Sequence, residues 1–260
     1  MNLDLAGKVA IVTGAGRGIG LAVVRALTAE GVRVVGAARK PSPGLEATGA
    51  LPVAVDLTDR GAAETLVDAA VHAYGRIDLL VNNLGGGDRL GLAGFLDLSD
   101  HDWLDTFDTN LFATVRVTRA ALPRLLERGG VVVNVSSIGA RRPEGPPLAY
   151  NVAKAALTAF GRGLASEVGP SGVRVVTVSP GPTRTDMWQG PDGLGAQLAA
   201  SIGAPIDAIV AGAPEQMGML TGRMAEPAEV ADLIAYLLSP RAASITGSDH
   251  LVDGGAIRSV

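Results

Sequence analysis

The chain contains no cysteine. Disulfides, thiol nucleophiles and cysteine-based zinc sites are therefore excluded. Aromatic residues make up only 3% of its 260 residues, so a core has to be built from Ala, Val, Leu and Ile. Positive charge is not in excess: the net charge is −4 and the pI about 5.4. That balance is unlike the basic footprint of a nucleic-acid binder, and no nucleic-acid partner is expected. No apolar run reaches about 18 residues, so no transmembrane helix and no membrane partner are expected. The opening Met1-Asn2-Leu3-Asp4-Leu5 has no basic segment followed by a long apolar run. No signal peptide is expected, and the expected location is cytoplasmic. His72 and His101 fall at helix-surface positions, and with His250 they lack metal-ligand spacing, so no metal site is expected. Glycine, in contrast, is plentiful at 35 residues, about twice the usual share. The glycines cluster where tight turns and close backbone contacts are needed.

Apolar runs at 8–12, 32–37, 51–55, 77–81, 131–135 and 173–178 read as buried strands, with a last short strand at 250–252. Helical spacing covers 19–30, 59–74, 100–127, 148–168 and 227–238, with Gly31 and Gly75 as terminators. Pro41-Ser42-Pro43-Gly44 reads as a turn. Residues 182–222, rich in Gly, Pro and Met, read as irregular. The alternation of strand and helix predicts a parallel sheet covered on both faces. No repeat or linker divides the chain, and its length fits one large α/β domain.

Tyr150 and Lys154 are four residues apart in a helical segment, so they share a face. A phenol has a pKa of about 10 and moves protons poorly at neutral pH unless its anion is stabilised. A lysine one turn away can stabilise it, which suits proton transfer to or from an alcohol or carbonyl oxygen. Alone the pair is weak, because Tyr-x-x-x-Lys arises often on exposed helices. Other features stand with it. Thr13-Gly14-Ala15-Gly16-Arg17-Gly18-Ile19-Gly20 follows a strand and opens a helix, the context in which glycines admit a pyrophosphate to a helix amino terminus. Where a NAD site places an acid, about 20 residues past the glycines, stands Ala38, followed by Arg39 and Lys40. The charge there favours a 2′-phosphate; the alternative is a solvated surface pair. Asp56 reads either as a hydrogen-bond acceptor for an adenine amino group or as a helix cap, for which Asp59 is better placed. Asn82 could bridge backbone groups after the fourth strand and Gly85 could pack against a ribose. Asn110 can disrupt a helical ladder and offer its amide to a water. Ser136-Ser137 end the fifth strand without the G-x-S-x-G elbow of a nucleophilic serine.

Together these residues resemble the short-chain dehydrogenase/reductase family, in its branch of about 250 residues. The resemblance runs through Thr13 to Gly20, Asp56, Asn82-Asn83, Asn110, Ser137, Tyr150, Lys154, Pro180-Gly181 and the closing Val252-Asp253-Gly254-Gly255. It implies one doubly wound α/β Rossmann-type domain over 1–260. Its parallel sheet of about seven strands would run in the order 3-2-1-4-5-6-7 with helices on both faces. It implies NADP(H), with NAD(H) the lesser alternative, and hydride transfer to or from a ketone or secondary alcohol. Tyr150 would be the general acid and base, Lys154 would lower its pKa and hold the nicotinamide ribose, and Ser137 would bond the substrate oxygen with Ser136 as structural neighbour. Asn110 would hold a relay water. Gly14, Gly16, Arg17, Gly18, Ile19, Gly20, Ala38, Arg39, Lys40, Asp56, Leu57, Asn83, Leu84, Gly85, Pro180, Gly181, Thr183 and Thr185 would line the cofactor. Leu84 departs from the family's Asn-Asn-Ala-Gly and adds bulk there. Two other activities stay open: a 3-oxoacyl-thioester reductase of fatty-acid or polyketide synthesis, and a catalytically silent cofactor-binding regulator. Specificity for a small, apolar substrate is expected in 84–92 and 184–222, the latter acting as a mobile lid. A homotetramer is expected, with a dimer as the alternative.

Overall fold

The computed structural model describes residues 2–86 and 91–258. Seven parallel strands form one sheet: β1 (Val9–Thr13), β2 (Arg33–Ala38), β3 (Leu51–Ala54), β4 (Leu79–Asn82), β5 (Val131–Val135), β6 (Arg174–Pro180) and β7 (Asp249–Val252). Their order is β3-β2-β1-β4-β5-β6-β7, as expected. Every residue of β1, β4 and β5 is buried, because helices cover both faces.

Successive side chains on each strand serve opposite layers. Ala10, Val12 and Val34 pack with Val24 and Leu27 of α1 (Gly18–Ala29) and with Val230 and Ile234 of α10 (Pro227–Leu238). Ile11, Val35 and Leu80 pack with Leu66 of α3 (Ala62–Tyr74), Val117 of α5 (Ala113–Leu126), and Ala165 and Val168 of α6 (Leu148–Val168). The strand order reverses between β1 and β4. In sheets of this kind that reversal opens a crevice at the carboxyl ends of the strands, where the loops carrying the predicted site residues leave the sheet. Among the described residues no single helix is long and apolar enough to cross a membrane.

Four local expectations need correction. Residues 182–222 are not irregular: they hold α7 (Asp186–Gln189), α8 (Leu194–Ile202) and α9 (Ile206–Gln216). Trp188, Val210 and Ala213 form a small core there with Met224. The glycines behind that irregular reading allow close packing instead. A Cβ on Gly190 would stand 2.5 Å from the Asp186 carbonyl oxygen, and one on Gly193 the same distance from that of Met187. The long helix over 100–127 is interrupted: α4 (Asp100–Phe107) passes through a π-turn, Asp108–Phe112, before α5 begins. Neither Asp56 nor Asp59 caps α3, whose N-cap is Gly61 with a left-handed φ of 78°. The Ser42 turn opens a short helix, α2 (Pro43–Glu46), by accepting a hydrogen bond from the Leu45 N–H.

Candidate active site

Helix α6 starts beyond the carboxyl end of β5 and carries Tyr150 in its first turn and Lys154 in its second. Lys154 is 2% exposed, and its Nζ donates to the Val135 carbonyl at 2.9 Å. Its Nζ also lies 5.7 Å from the centroid of the Tyr150 ring. Burial lowers the ammonium pKa to about 8, because removal from water disfavours the charged form. Tyr150 is partly exposed, so a buried positive charge sits under a phenol that a ligand can reach.

The serine pair divides its work by burial. Ser136 is 3% exposed; its Oγ lies 3.0 Å from the Lys154 carbonyl and 2.8 Å from Thr158 Oγ1, pinning β5 to α6. Ser137 is partly exposed and caps a 3₁₀ turn, Ile138–Ala140, its Oγ accepting from the Gly139 N–H at 3.1 Å. Ser137 is thus the member of the pair that a substrate can meet.

Asn110 lies inside the π-turn and is fully buried. Its Oδ1 accepts from the Gly86 N–H at 3.0 Å, and its Nδ2 donates to the carbonyls of Gly86 and Thr106, each at 3.0 Å. Both amide hydrogens are therefore committed to backbone, and the expected amide donor for a water is corrected. The side chain fixes the loop after β4 instead. Gly85 completes the junction: a Cβ there would stand 2.8 Å from both Asn110 Oδ1 and Lys154 Nζ.

The glycine turn enters α1 at an N-terminus with no side-chain cap and no acid in the first turn. That leaves its N–H groups and positive end free for an anion. A Cβ on Gly20 would collide with the Gly14 carbonyl oxygen and lie 2.5 Å from Asn83 Nδ2. The residue that ties this turn to β4 is Asn83, not Asn82. Asn83 Nδ2 donates to the carbonyls of Thr13 and Gly14 at 3.0 and 3.2 Å, and Thr13 Oγ1 accepts from the N–H groups of Asn83 and Leu84, each at 3.0 Å. Asn82 is buried beneath, its Nδ2 donating to Thr118 Oγ1 and Asn134 Oδ1. Leu84, the departure from the family pattern, packs on the core shared by α3 and α5.

At the end of β2, Ala38 is partly buried, whereas Arg39 and Lys40 are exposed and form no ion pair among the described residues. Ser42 Oγ donates to the Gly16 carbonyl at 2.7 Å, joining this loop to the glycine turn. Arg17 points another way: its Nη1 meets Asp186 Oδ2 of α7 at 3.3 Å. Asp56 Oδ1 accepts from the N–H and Oγ1 of Thr58 at 3.1 and 2.7 Å, and Leu57 is buried beside it. Pro180 and Gly181 end β6 against Asp253, Thr183 Oγ1 donates to the Gly181 carbonyl at 2.9 Å, and Thr185 lies against Gly18. Ile19 lies in the first turn of α1 and packs on the core beneath. Within the specificity segment 84–92, residues 87–90 lie outside the described residues. Among the described residues no cluster could hold a metal ion.

These residues fit a dinucleotide. A glycine-rich turn lies at an open helix end, two cations with no ion pair among the described residues follow β2, and a lysine sits beneath a reachable tyrosine at the other end of the crevice. Sequence reasoning named Thr13 within the glycine motif and Ser42 within a turn without seeing their bonds to the β4 loop and to Gly16, and it missed the Arg17–Asp186 pair, which joins residues 169 positions apart.

A family model described as enoyl-(acyl carrier protein) reductase matches residues 14–256. A putative ketoacyl reductase of the monensin polyketide synthase from Streptomyces virginiae is 38% identical over 263 residues, covering 95% of this chain and 96% of the relative. L-Fucose dehydrogenase from Bos taurus is 35% identical over 266 residues, covering 98% and 92%. L-Sorbose reductase from Gluconobacter frateurii, solved with NADPH and L-sorbose, is 30% identical, superposes with a TM-score of 0.90 and covers 100% of both chains.

Proposed function

The chain belongs to the short-chain dehydrogenase/reductase family, and from that premise we propose that it prefers NADP(H) and interconverts a ketone and a secondary alcohol with Tyr150 as general acid and base. That it is an oxidoreductase acting on CH–OH and C=O groups follows from its relatives. The observation that carries the residue assignment is the buried Lys154 one helical turn from a reachable Tyr150, beside the turn bearing Ser137. The bound nicotinamide supplies or takes the hydride. In reduction, Tyr150 Oη gives its proton to the carbonyl oxygen as negative charge develops there, and Ser137 Oγ donates a hydrogen bond to the same atom. The Lys154 ammonium stabilises the phenolate that remains. Oxidation runs these transfers backward. Asn110 and Gly85 keep the β4 loop clear of the lysine. The intact set argues against a catalytically silent regulator, which has no need of it.

Preference for the 2′-phosphate rests on Ala38, where no carboxylate competes, and on the unpaired Arg39 and Lys40. A partly exposed charge-assisted bond contributes about 1.5–3 kcal/mol, so one such contact is worth roughly tenfold or more in affinity. kcat/KM with NADPH and NADH tests this. NADPH should be favoured, Ala38→Asp should reverse the order, and a wild-type preference for NADH would defeat the assignment.

The substrate is read less directly. Trp188 of α7 and Met219, beyond α9, are buried, while Leu220 stays 70% exposed. Much of the apolar content of 184–222 is therefore explained by its own packing. The relatives named above are called ketoacyl, fucose and sorbose enzymes, so an assay panel needs a 3-oxoacyl thioester, an apolar ketone and a ketose. Selective turnover of the thioester would favour the second reading, for which the polyketide relative speaks. Phe95 and Leu96 before α4, Leu104 on α4 and Phe112 in the π-turn are 66, 93, 66 and 44% exposed. We propose that this face is covered by a second copy in a tetramer or dimer. Light scattering that returns the 26.3 kDa monomer at micromolar concentration would refute it.

A further inference from the structure

We infer that Arg141 and Asp249 are positioning residues for the reaction, holding the turn that bears Ser137 in register with the end of β6; the inference rests on the role proposed for Ser137. Asp249 lies on the edge strand β7, yet its side chain is only 1% exposed. A carboxylate so placed has to be matched by donors. Its Oδ2 accepts from Arg141 Nε at 2.9 Å and lies within ion-pair distance of Nη2, and its Oδ1 accepts from Ser179 Oγ at 2.7 Å. Arg141 Nη2 also donates to the Asp249 carbonyl at 3.0 Å. Arg141 is the residue that closes the 3₁₀ turn begun by Ser137. Ser179 is the residue before Pro180-Gly181. One carboxylate thus joins the serine turn to the strand end beside the proposed nicotinamide site.

The same loop is held from the opposite side. Asn151, next to Tyr150 on α6, donates through Nδ2 to the carbonyls of Pro143 and Gly145 at 3.4 and 3.3 Å. Gly139 lies so close to Asn151 Oδ1 that a Cβ would collide with it. The turn bearing Ser137 is therefore clamped between the helix of Tyr150 and Lys154 and the strand of Asp249. A buried ion pair is often no more stabilising than a well-packed apolar pair. What the two-point fork between Arg141 and Asp249 supplies is a fixed direction and distance.

The test is a double-mutant cycle on the full-length protein, with kcat, cofactor affinity and melting temperature as readouts. Displacing a reacting group by about 1 Å can cost on the order of 10²-fold in rate. Arg141→Met and Asp249→Asn are each expected to lower kcat by about tenfold, with NADPH affinity changed less than about twofold. In a Ser137→Ala background the same changes should have almost no further effect, because residues that act through one another are not additive. Arg141→Lys, which keeps the charge but not the fork, should fall between wild type and Arg141→Met. Asp249→Asn keeps the volume and a partner for Ser179, so it reports even where Arg141→Met does not fold. Equal losses with and without Ser137, or no loss in the wild-type background, would overturn the inference. Unchanged kcat in Ser137→Ala alone would instead remove the role of Ser137, and the positioning role with it.

Discussion

The wall of the crevice built by β5 and α6 and the cap built by α7, α8 and α9 are held by different means. In the first, Lys154 and Ser136, with Asn110 of the adjoining π-turn, are each 3% exposed or less, and their side chains bond to backbone of neighbouring segments. In the cap, the core is a few residues around Trp188. Backbone bonds join Arg184 and Pro182 to Ala225 ahead of α10, and the side-chain links to the glycine turn and to α10 are surface ion pairs, Arg17–Asp186 and Arg184–Glu226, each at 3.3 Å with side chains 44–67% exposed. Ile202 is 68% exposed. Buried polar groups are costly to leave unpaired, so the first wall tolerates one arrangement. Exposed pairs are worth about 0–1 kcal/mol, so these two add little to the holding of the cap.

The largest effect that would sharpen this contrast is on chemistry alone. Tyr150→Phe should lower kcat by about 10²–10⁴-fold while NADPH affinity stays near wild type. Retention of more than about a tenth of kcat would assign the proton to another group. Gly85→Ala comes next: the new methyl would press on Asn110 Oδ1 and Lys154 Nζ, at 2.8 Å from each. Overpacking of this kind costs about 1–3 kcal/mol, and kcat should fall roughly 10–100-fold if the lysine is displaced. A fully active variant would show that the rigid wall is softer than its bonds imply.

The pH response of Lys154 is expected to be smaller and has a defined sign. Its folded-state pKa of about 8 lies below the ordinary 10.5 of an unfolded chain. Between these values the unfolded chain binds more protons, so unfolding free energy should rise with pH, and the burial penalty is fully present below about 8. Urea titrations should show wild type gaining on Lys154→Met across that window, while kcat for carbonyl reduction falls as the ammonium charge is lost. A difference that is flat with pH would mean the lysine titrates normally.

The smallest effect belongs to the cap. Asp186→Asn removes one ion-pair partner of Arg17 and should change NADPH affinity by no more than about fivefold, toward tighter binding, with NADH unchanged, as measured by fluorescence titration. Weaker NADPH binding would mean that the pair orders the turn and does not compete with the phosphate.

Much of this architecture was legible because it is locally encoded. Strands that are apolar along their length, helices bounded by Gly31 and Gly75, and the run from Thr13 to Gly20 each announce themselves within a dozen residues. The spacing of Tyr150 and Lys154 is set by helical geometry alone. The cap was misread because its glycines were weighed as helix breakers, when Gly190 and Gly193 are required by backbone packing on α7. Nor could a sequence pattern say which of two adjacent asparagines turns toward the glycine loop. Alternation along β4 sends Asn82 into the core, to Thr118 and Asn134, and leaves Asn83 at the strand end for Thr13 and Gly14.

Local sequence was enough for the strands and the helices that cover the sheet, the open helix end behind the glycine turn and the shared face of Tyr150 and Lys154, because each depends on neighbours within a turn or two of chain. The tertiary structure alone decided that Lys154 is buried and its pKa lowered, that Asn110 occupies a π-turn and holds Gly86, and that Arg141 reaches Asp249 across 108 residues. Burial and long-range hydrogen bonds exist only once the sheet has brought distant segments together, so no local pattern carries them.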